Sequence, residues 1–300
     1  MTLALDSSPQ ATTFSGASSV VAHLTTFAGN EVICVIVANE SHGTPLATVA
    51  SITSASGLAF ARRGGATTTY GTTPCNLELW WAPAASALSG EAITVTLTGT
   101  IDDAVVTCFG VSGAYDYTHP WDTDASLPES SVATSGTPAA VGYATVSADT
   151  FVITWGMAQN PGAATCSGWT VIRADLNSGG ALFCQSDGYY KVLSAPEPGT
   201  TSPFAFANGA IYLTDAISGD APPVLGHNSS SKFLGYSVDA PTVANASKLL
   251  GYAAEGTPPA SAAKMLGYAV EAPTFAGAAK LLGYAVLIPN DLRPWLFTVT

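Results

Sequence analysis

KFLGYSV (232–238), KLLGYAA (248–254), KMLGYAV (264–270) and KLLGYAV (280–286) set the plan of the C-terminal quarter of the chain. Their leading lysines, Lys232, Lys248, Lys264 and Lys280, stand 16 residues apart. A period this short and faithful marks a stacked or wound architecture. Each unit is a short apolar run followed by a spacer holding Pro241, Pro258 with Pro259, or Pro273, which reads as strand then turn, four times over. Strand side chains alternate between faces, so Lys248, Leu250 and Tyr252 share one face while Leu249, Gly251 and Ala253 share the other. Neither face is polar, and a strand apolar on both sides must be covered on both. The candidate assembly residues are therefore the Leu-Gly-Tyr trios: Leu234, Gly235 and Tyr236; Leu250, Gly251 and Tyr252; Leu266, Gly267 and Tyr268; Leu282, Gly283 and Tyr284. Glycine admits another backbone closely, and Leu and Tyr supply bulk. Three arrangements satisfy this pattern: extra strands on the N-terminal domain, an intertwined homo-oligomer, most simply a trimer, or a single-chain solenoid whose turns stack.

The unit Lys-hydrophobic-Leu-Gly-Tyr-Ala-Val, with its Pro-containing spacer and short terminal tail, resembles the repeats in fibre and appendage proteins of tailed bacteriophages, over residues 232–300. Ala254 and Ser237 depart from the pattern. The resemblance implies a structural virion protein, a fibre or decoration on tail, head or collar. It would be assembled in the host cytoplasm and exposed outside the cell, oligomeric and bound to other virion proteins, with a host surface glycan as a further candidate partner.

Working outward, GDAPPVLGHNSSS (219–231) has the proline pair and small polar residues of a linker. The expected organisation is a β-sandwich over 1–218, a linker over 219–231, four repeats over 232–288 and a cap over 289–300, where Trp295, Leu296 and Phe297 offer an aromatic plug. The N-terminal part reads as all-β, with some dozen short runs rich in Val, Ile, Thr and aromatics and punctuated by Gly, Pro, Ser and Asn. EAITVTLTGT (91–100) alternates and should be half buried. EVICVIVAN (31–39) and TFVITWGMA (150–158) are continuous apolar runs that belong in the middle of a sandwich. Two packed antiparallel sheets, jelly-roll-like, are the expected fold, with a barrel as the second choice. The repeat region is expected to be β-prism- or solenoid-like.

Only 10% of the 300 residues are charged, against about 25% in an ordinary soluble protein, so the surface must be built from Thr, Ser, Gly, Ala and Asn. The net charge of −12 sits entirely before Ile217, where 4 basic residues meet 16 acidic ones. Nucleic acid would require a basic face, so it is not an expected partner. No apolar run approaches the roughly 20 residues of a membrane-spanning helix, so no membrane insertion is expected. The N-terminus also lacks a secretory leader pattern. Five cysteines offer no metal spacing, and no metal or other cofactor is expected. Cys34 and Cys108 read as buried thiols, while Cys166 and Cys184 flank an apparent hairpin around Asn177–Gly180 and are the one candidate disulfide.

The stretch YDYTHPWDTD (115–124) is the densest in functional-looking groups. Tyr115, Tyr117 and Trp121 beside Asp116, Asp122 and Asp124 are equipment for gripping a sugar, rings against its apolar face and carboxylates on its hydroxyls. His119 lies in the same loop. The three aspartates also suit a calcium site, but the spacing of a calcium-binding loop is missing, and a solvated acidic turn is the plainer reading. Trp80 and Trp81 are adjacent in a strand and must face opposite ways. No nucleophile elbow, zinc-binding helix or phosphate loop is present, so no enzyme is expected. The alternative to a virion part is a carbohydrate-binding module or surface adhesin without catalysis.

Overall fold

The computed structural model describes residues 2–41, 45–159, 162, 164–177, 183–206 and 208–219, and the backbone of 232–239, 248–255, 265–269 and 281–285. The linker from residue 220, the spacers between repeats and the cap at 289–300 lie outside the described residues. Two compact units divide at Pro222/Pro223. Among the described residues there is no helix; the fold is all-β, with antiparallel sheets throughout the first unit.

The first unit contains β1 (Ala4–Leu5), β2 (Gln10–Ser15), β3 (Ser19–Leu24), β4 (Glu31–Glu40), β5 (Val49–Ser54), β6 (Ala61–Tyr70), β7 (Thr73–Ala84), β8 (Glu91–Leu97) and β9 (Asp103–Ser112). It continues with β10 (Glu129–Val132), β11 (Gly142–Tyr143), β12 (Thr150–Ala158), β13 (Thr165–Cys166), β14 (Thr170–Asn177), β15 (Cys184–Leu193), β16 (Thr200–Thr201), β17 (Phe204–Ala205) and β18 (Gly209–Ser218). One inner sheet has the order β2, β9, β4, β7, β6, with β1 also on β9; the other has the order β10, β18, β12, β15, β14. Where two sheets are expected from the sequence, there are two inner sheets face to face, each with an outer layer of its own. The reason is that β4 and β12 are both apolar on both sides. Val32, Cys34 and Ile36 meet Phe151, Ile153 and Trp155 in a central core. Ile33, Val35 and Val37 turn the other way, against Ala22, Leu24, Ile93 and Val95 of the sheet β3, β8, β5. On the far side of β12 the outer layer shrinks to the pairs β11·β16 and β13·β17, filled by Tyr143, Cys166, Phe204 and Phe206.

The two halves share one plan. Strands β2, β4, β6, β7 and β9 correspond in pairing to β10, β12, β14, β15 and β18. The β6·β7 ladder slips between Arg62 and Gly64, bulging at Arg63, and the β14·β15 ladder slips between Val171 and Arg173, bulging at Ile172. Thr26 donates its N–H to Leu88 O (3.0 Å) and accepts the Leu88 N–H on Oγ1 (2.9 Å); Thr145 and Glu197 make the same reciprocal pair at 2.9 Å each. Asp6 accepts the N–H groups of Phe27 and Ala28 and donates its own to Gly110 O. Asp122 accepts those of Val146 and Ser147 and donates to Ala216 O. Contacts between halves are reciprocal as well: β6 touches β18 where β14 touches β9, the exchange expected of a twofold-like interface.

Sequence expectations about particular strands fare unevenly. Ile93, Val95 and Leu97 of β8 are buried and alternate with partly exposed residues. The hairpin β14–β15 forms, but Cys166 lies in β13 on the outer side of the sheet and Cys184 faces the central core, so both are free thiols. Strand β15 runs unbroken through Asp187 and Gly188, and a Cβ at Gly188 would overlap the Trp155 ring.

In the second unit β19 (Lys232–Asp239), β20 (Lys248–Glu255), β21 (Met265–Ala269) and β22 (Leu281–Ala285) form a four-stranded sheet of their own. It is parallel and in register: Gly235, Gly251, Gly267 and Gly283 occupy one position of the ladder, and Tyr236, Tyr252, Tyr268 and Tyr284 the next. Identical segments pair in register because any shift of one residue would invert their faces.

Candidate functional site

The segment joining the two halves runs from Gly113 to Asp122, and it forms one wall of a cavity of about 270 Å³ lined by Tyr115, Asp116, His119, Trp121, Thr123, Ser147 and Ser218. Local bonds shape this wall. Tyr115 N–H donates to Ser218 O (3.2 Å) and Ser218 N–H to Pro120 O (2.7 Å), tying both ends of the segment to the end of β18. Asp116 caps the turn between, accepting from the Thr118 hydroxyl and N–H and lying 3.0 Å from His119 Nδ1. The Thr118 hydrogen bonds, followed by that of His119, hold the Asp116 carboxyl down at about 2. It is thus an anion at every ordinary pH. Tyr115 is 64% exposed and the His119 side chain 86% exposed.

Of the six residues singled out by sequence, Tyr115, Asp116 and Trp121 come together on the cavity and three do not. Tyr117 turns inward and packs against the central core. Asp122 is buried and spends its carboxylate on the N–H groups of Asp124, Val146 and Ser147. Asp124 accepts from the Ser126 N–H and hydroxyl, which hold its carboxyl below the usual range. The three aspartates therefore cap three separate turns. Asp122 and Asp124 answer backbone needs of the fold, and a composition-based reading has no means of separating such caps from ligand contacts.

Behind Trp121 stands a group absent from the sequence reading. Arg63, at the β6 bulge, makes a two-pronged contact with Asp215 of β18, Nε to Oδ2 at 2.8 Å and Nη2 to Oδ1 at 3.1 Å. Its guanidinium lies 4.8 Å from the centre of the Trp121 ring. A bulge re-aims a side chain relative to the regular strand, and here it brings arginine to a position where a strand edge would send it to solvent. Burial lifts the Asp215 carboxyl to about 6 against the pull of the guanidinium. Trp81 meets Trp121 edge to face at 5.8 Å, while Trp80 packs on the opposite side of β7. The available signal was scarcity: Arg62 and Arg63 are two of only four basic residues before Ile217. Ser147 and Ser218 carry no such signal.

Chemically, the cavity offers two aromatic rings and an ionised acceptor on its rim. Among the described residues no group of three His, Cys, Asp or Glu side chains could hold a metal ion. No protein-family model, curated protein or solved structure matches the chain.

Proposed function

We propose that the chain is a structural appendage protein of a tailed-phage virion, in which a β-sandwich unit of jelly-roll type is carried by a repetitive oligomerisation region. The observation behind this reading is the parallel, in-register ladder of the Leu-Gly-Tyr repeats. Successive copies stack as turns, the local organisation common to a solenoid and to a β-prism of several chains. Both faces of such a ladder are apolar in sequence, and a second and third copy of the chain provide the cover. The jelly-roll reading is supported by nested pairings: β2 with β9, β3 with β8 and β4 with β7 are the legs of one long hairpin wrapped into two sheets. Charge-poor surfaces and localisation on the virion exterior go together in this picture. Light scattering on the full chain and on a chain ending at Asp220 tests it: the full chain should have about three times the protomer mass and the shortened one should be monomeric. A shortened chain that keeps the full-length oligomeric state removes the role given to the repeats.

A second reading, carbohydrate binding without catalysis, is favoured by the cavity at Tyr115, Asp116 and Trp121, and it is compatible with the first if the appendage contacts a host glycan. Aromatic rings beside a carboxylate acceptor suit a sugar ring. Glycan-array binding of the full chain tests it, and an array without retention counts against it.

A further inference from the structure

We infer that the cavity beneath Trp121 is a binding site for a single neutral sugar ring of the hexose or N-acetylhexosamine class, with Arg63 and Asp215 as the positioning pair that sets the tryptophan. This rests on the carbohydrate reading above and adds the residues and the charge class.

The argument comes from the twofold-like plan of the first unit. Four positions meet at this corner, and the same four occur at the corresponding corner of the other half. Trp121 bridges to Ile217 as Leu5 pairs with Val111. The bulged Arg63 corresponds to the bulged Ile172. Asp215 faces Ile153 across the ladder as Phe109 faces Cys34. Trp81, one strand over, corresponds to Tyr190. One corner is Trp, Arg, Asp and Trp; its counterpart is Leu, Ile, Phe and Tyr, and all four of these belong to or pack on the central core. The architecture therefore accepts an apolar solution at this place.

The polar corner is the costlier one. A buried ion pair is commonly no more stable than well-packed apolar groups of similar volume. Trp121 also buries its Nε1–H without an acceptor among the described residues, a cost that leucine at position 5 does not carry. What the polar corner adds is a flat ring fixed on one side by a planar cation, standing in the wall of a cavity that Tyr115, Asp116 and His119 complete. A cavity of about 270 Å³ lies just below the range of roughly 300–1,000 Å³ that houses drug-sized ligands, which suits one ring. Charge narrows the class further. The Arg63 guanidinium is held by Asp215, and ionised Asp116 stands on the rim, so a uronate or sialyl carboxylate meets repulsion there.

The test uses the full chain against an immobilised panel of neutral hexose and N-acetylhexosamine oligosaccharides and their uronate- and sialyl-containing counterparts, with affinities from tryptophan fluorescence. Retention is expected on neutral members only, at least tenfold weaker for Trp121→Leu. The paired substitution Arg63→Ile with Asp215→Phe, which installs the counterpart's side chains, should weaken binding at least threefold while leaving the melting temperature unchanged or higher. If that pair does not fold, Arg63→Lys decides the positioning role: weaker binding together with an altered near-ultraviolet dichroism of the tryptophans supports it, and unchanged values overturn it. Absence of all retention by the wild-type chain ends the carbohydrate reading and this site with it. Retention that Trp121→Leu leaves intact overturns this site alone, and retention on acidic members only overturns the charge class.

Discussion

The two halves of the first unit solve the same packing problem with different residues. At the centre of one inner sheet Ile36 faces Leu79; at the corresponding place in the other, Trp155 faces Gly188. Two medium side chains are exchanged for one large and none. The lesson is that the plan is held by summed volume and by pairing register, not by residue identity, as expected of an interior packed to crystal-like density. The polar differences teach something else: Glu31 and Glu40 of β4 are buried carboxyls at positions where the second half has Thr150 and, just after β12, Gln159.

The largest effect should come from breaking the volume exchange. Gly188→Leu, which copies the counterpart residue without its partner, drives a side chain into Trp155 and should abolish cooperative unfolding of the first unit. Adding Trp155→Ile should bring stability back to within about 1.5 kcal/mol of wild type, as read from urea midpoints. Next comes Arg63→Ile alone, which strands a buried Asp215 and should cost about 3–5 kcal/mol; a loss below about 1 kcal/mol would mean that the ion pair is not buried as described.

The smallest expected change is one of slope. Burial lifts the Glu31 and Glu40 carboxyls to about 8 and that of Asp187 to about 7. A carboxyl whose folded value is raised binds more protons folded than unfolded, so its contribution is complete below about pH 4.5 and is lost as pH rises towards 8. Denaturant midpoints should therefore fall between pH 5 and pH 8. Glu40→Gln, which moves β4 towards its counterpart, should make that fall shallower. An identical decline in wild type and variant would contradict the assignment.

The repeat period and the burial of β4, β8 and β12 were legible because hydrophobic periodicity reports directly on which faces are covered. Strand β6, ARRGGATTTY, was not: it is an edge strand, polar and glycine-containing, and its place comes from pairing with β7. Strand β2, QATTFS, is hidden for the same reason. The shared plan of the halves left almost no trace, since AVVTCFGVSG (104–113) and AIYLTDAISG (210–219) agree mainly in pattern, and an exchange such as Ile36 and Leu79 for Trp155 and Gly188 erases even that. At the candidate site, loop composition located Tyr115, Asp116 and Trp121. Arg63, Asp215, Ser147 and Ser218 arrive from distant strands through tertiary packing, and Asp122 and Asp124 proved to be turn caps.

The equivalence of the halves is tested most directly at the reciprocal threonine bonds, which they share atom for atom. Thr26→Val and Thr145→Val each keep the side-chain shape and leave a backbone N–H, of Leu88 or Glu197, without its acceptor. Measured by urea unfolding of the full chain, the two should cost equal amounts, about 1–3 kcal/mol each, and the double substitution should cost their sum within about 0.5 kcal/mol. A loss at one threonine with none at the other would contradict the shared plan.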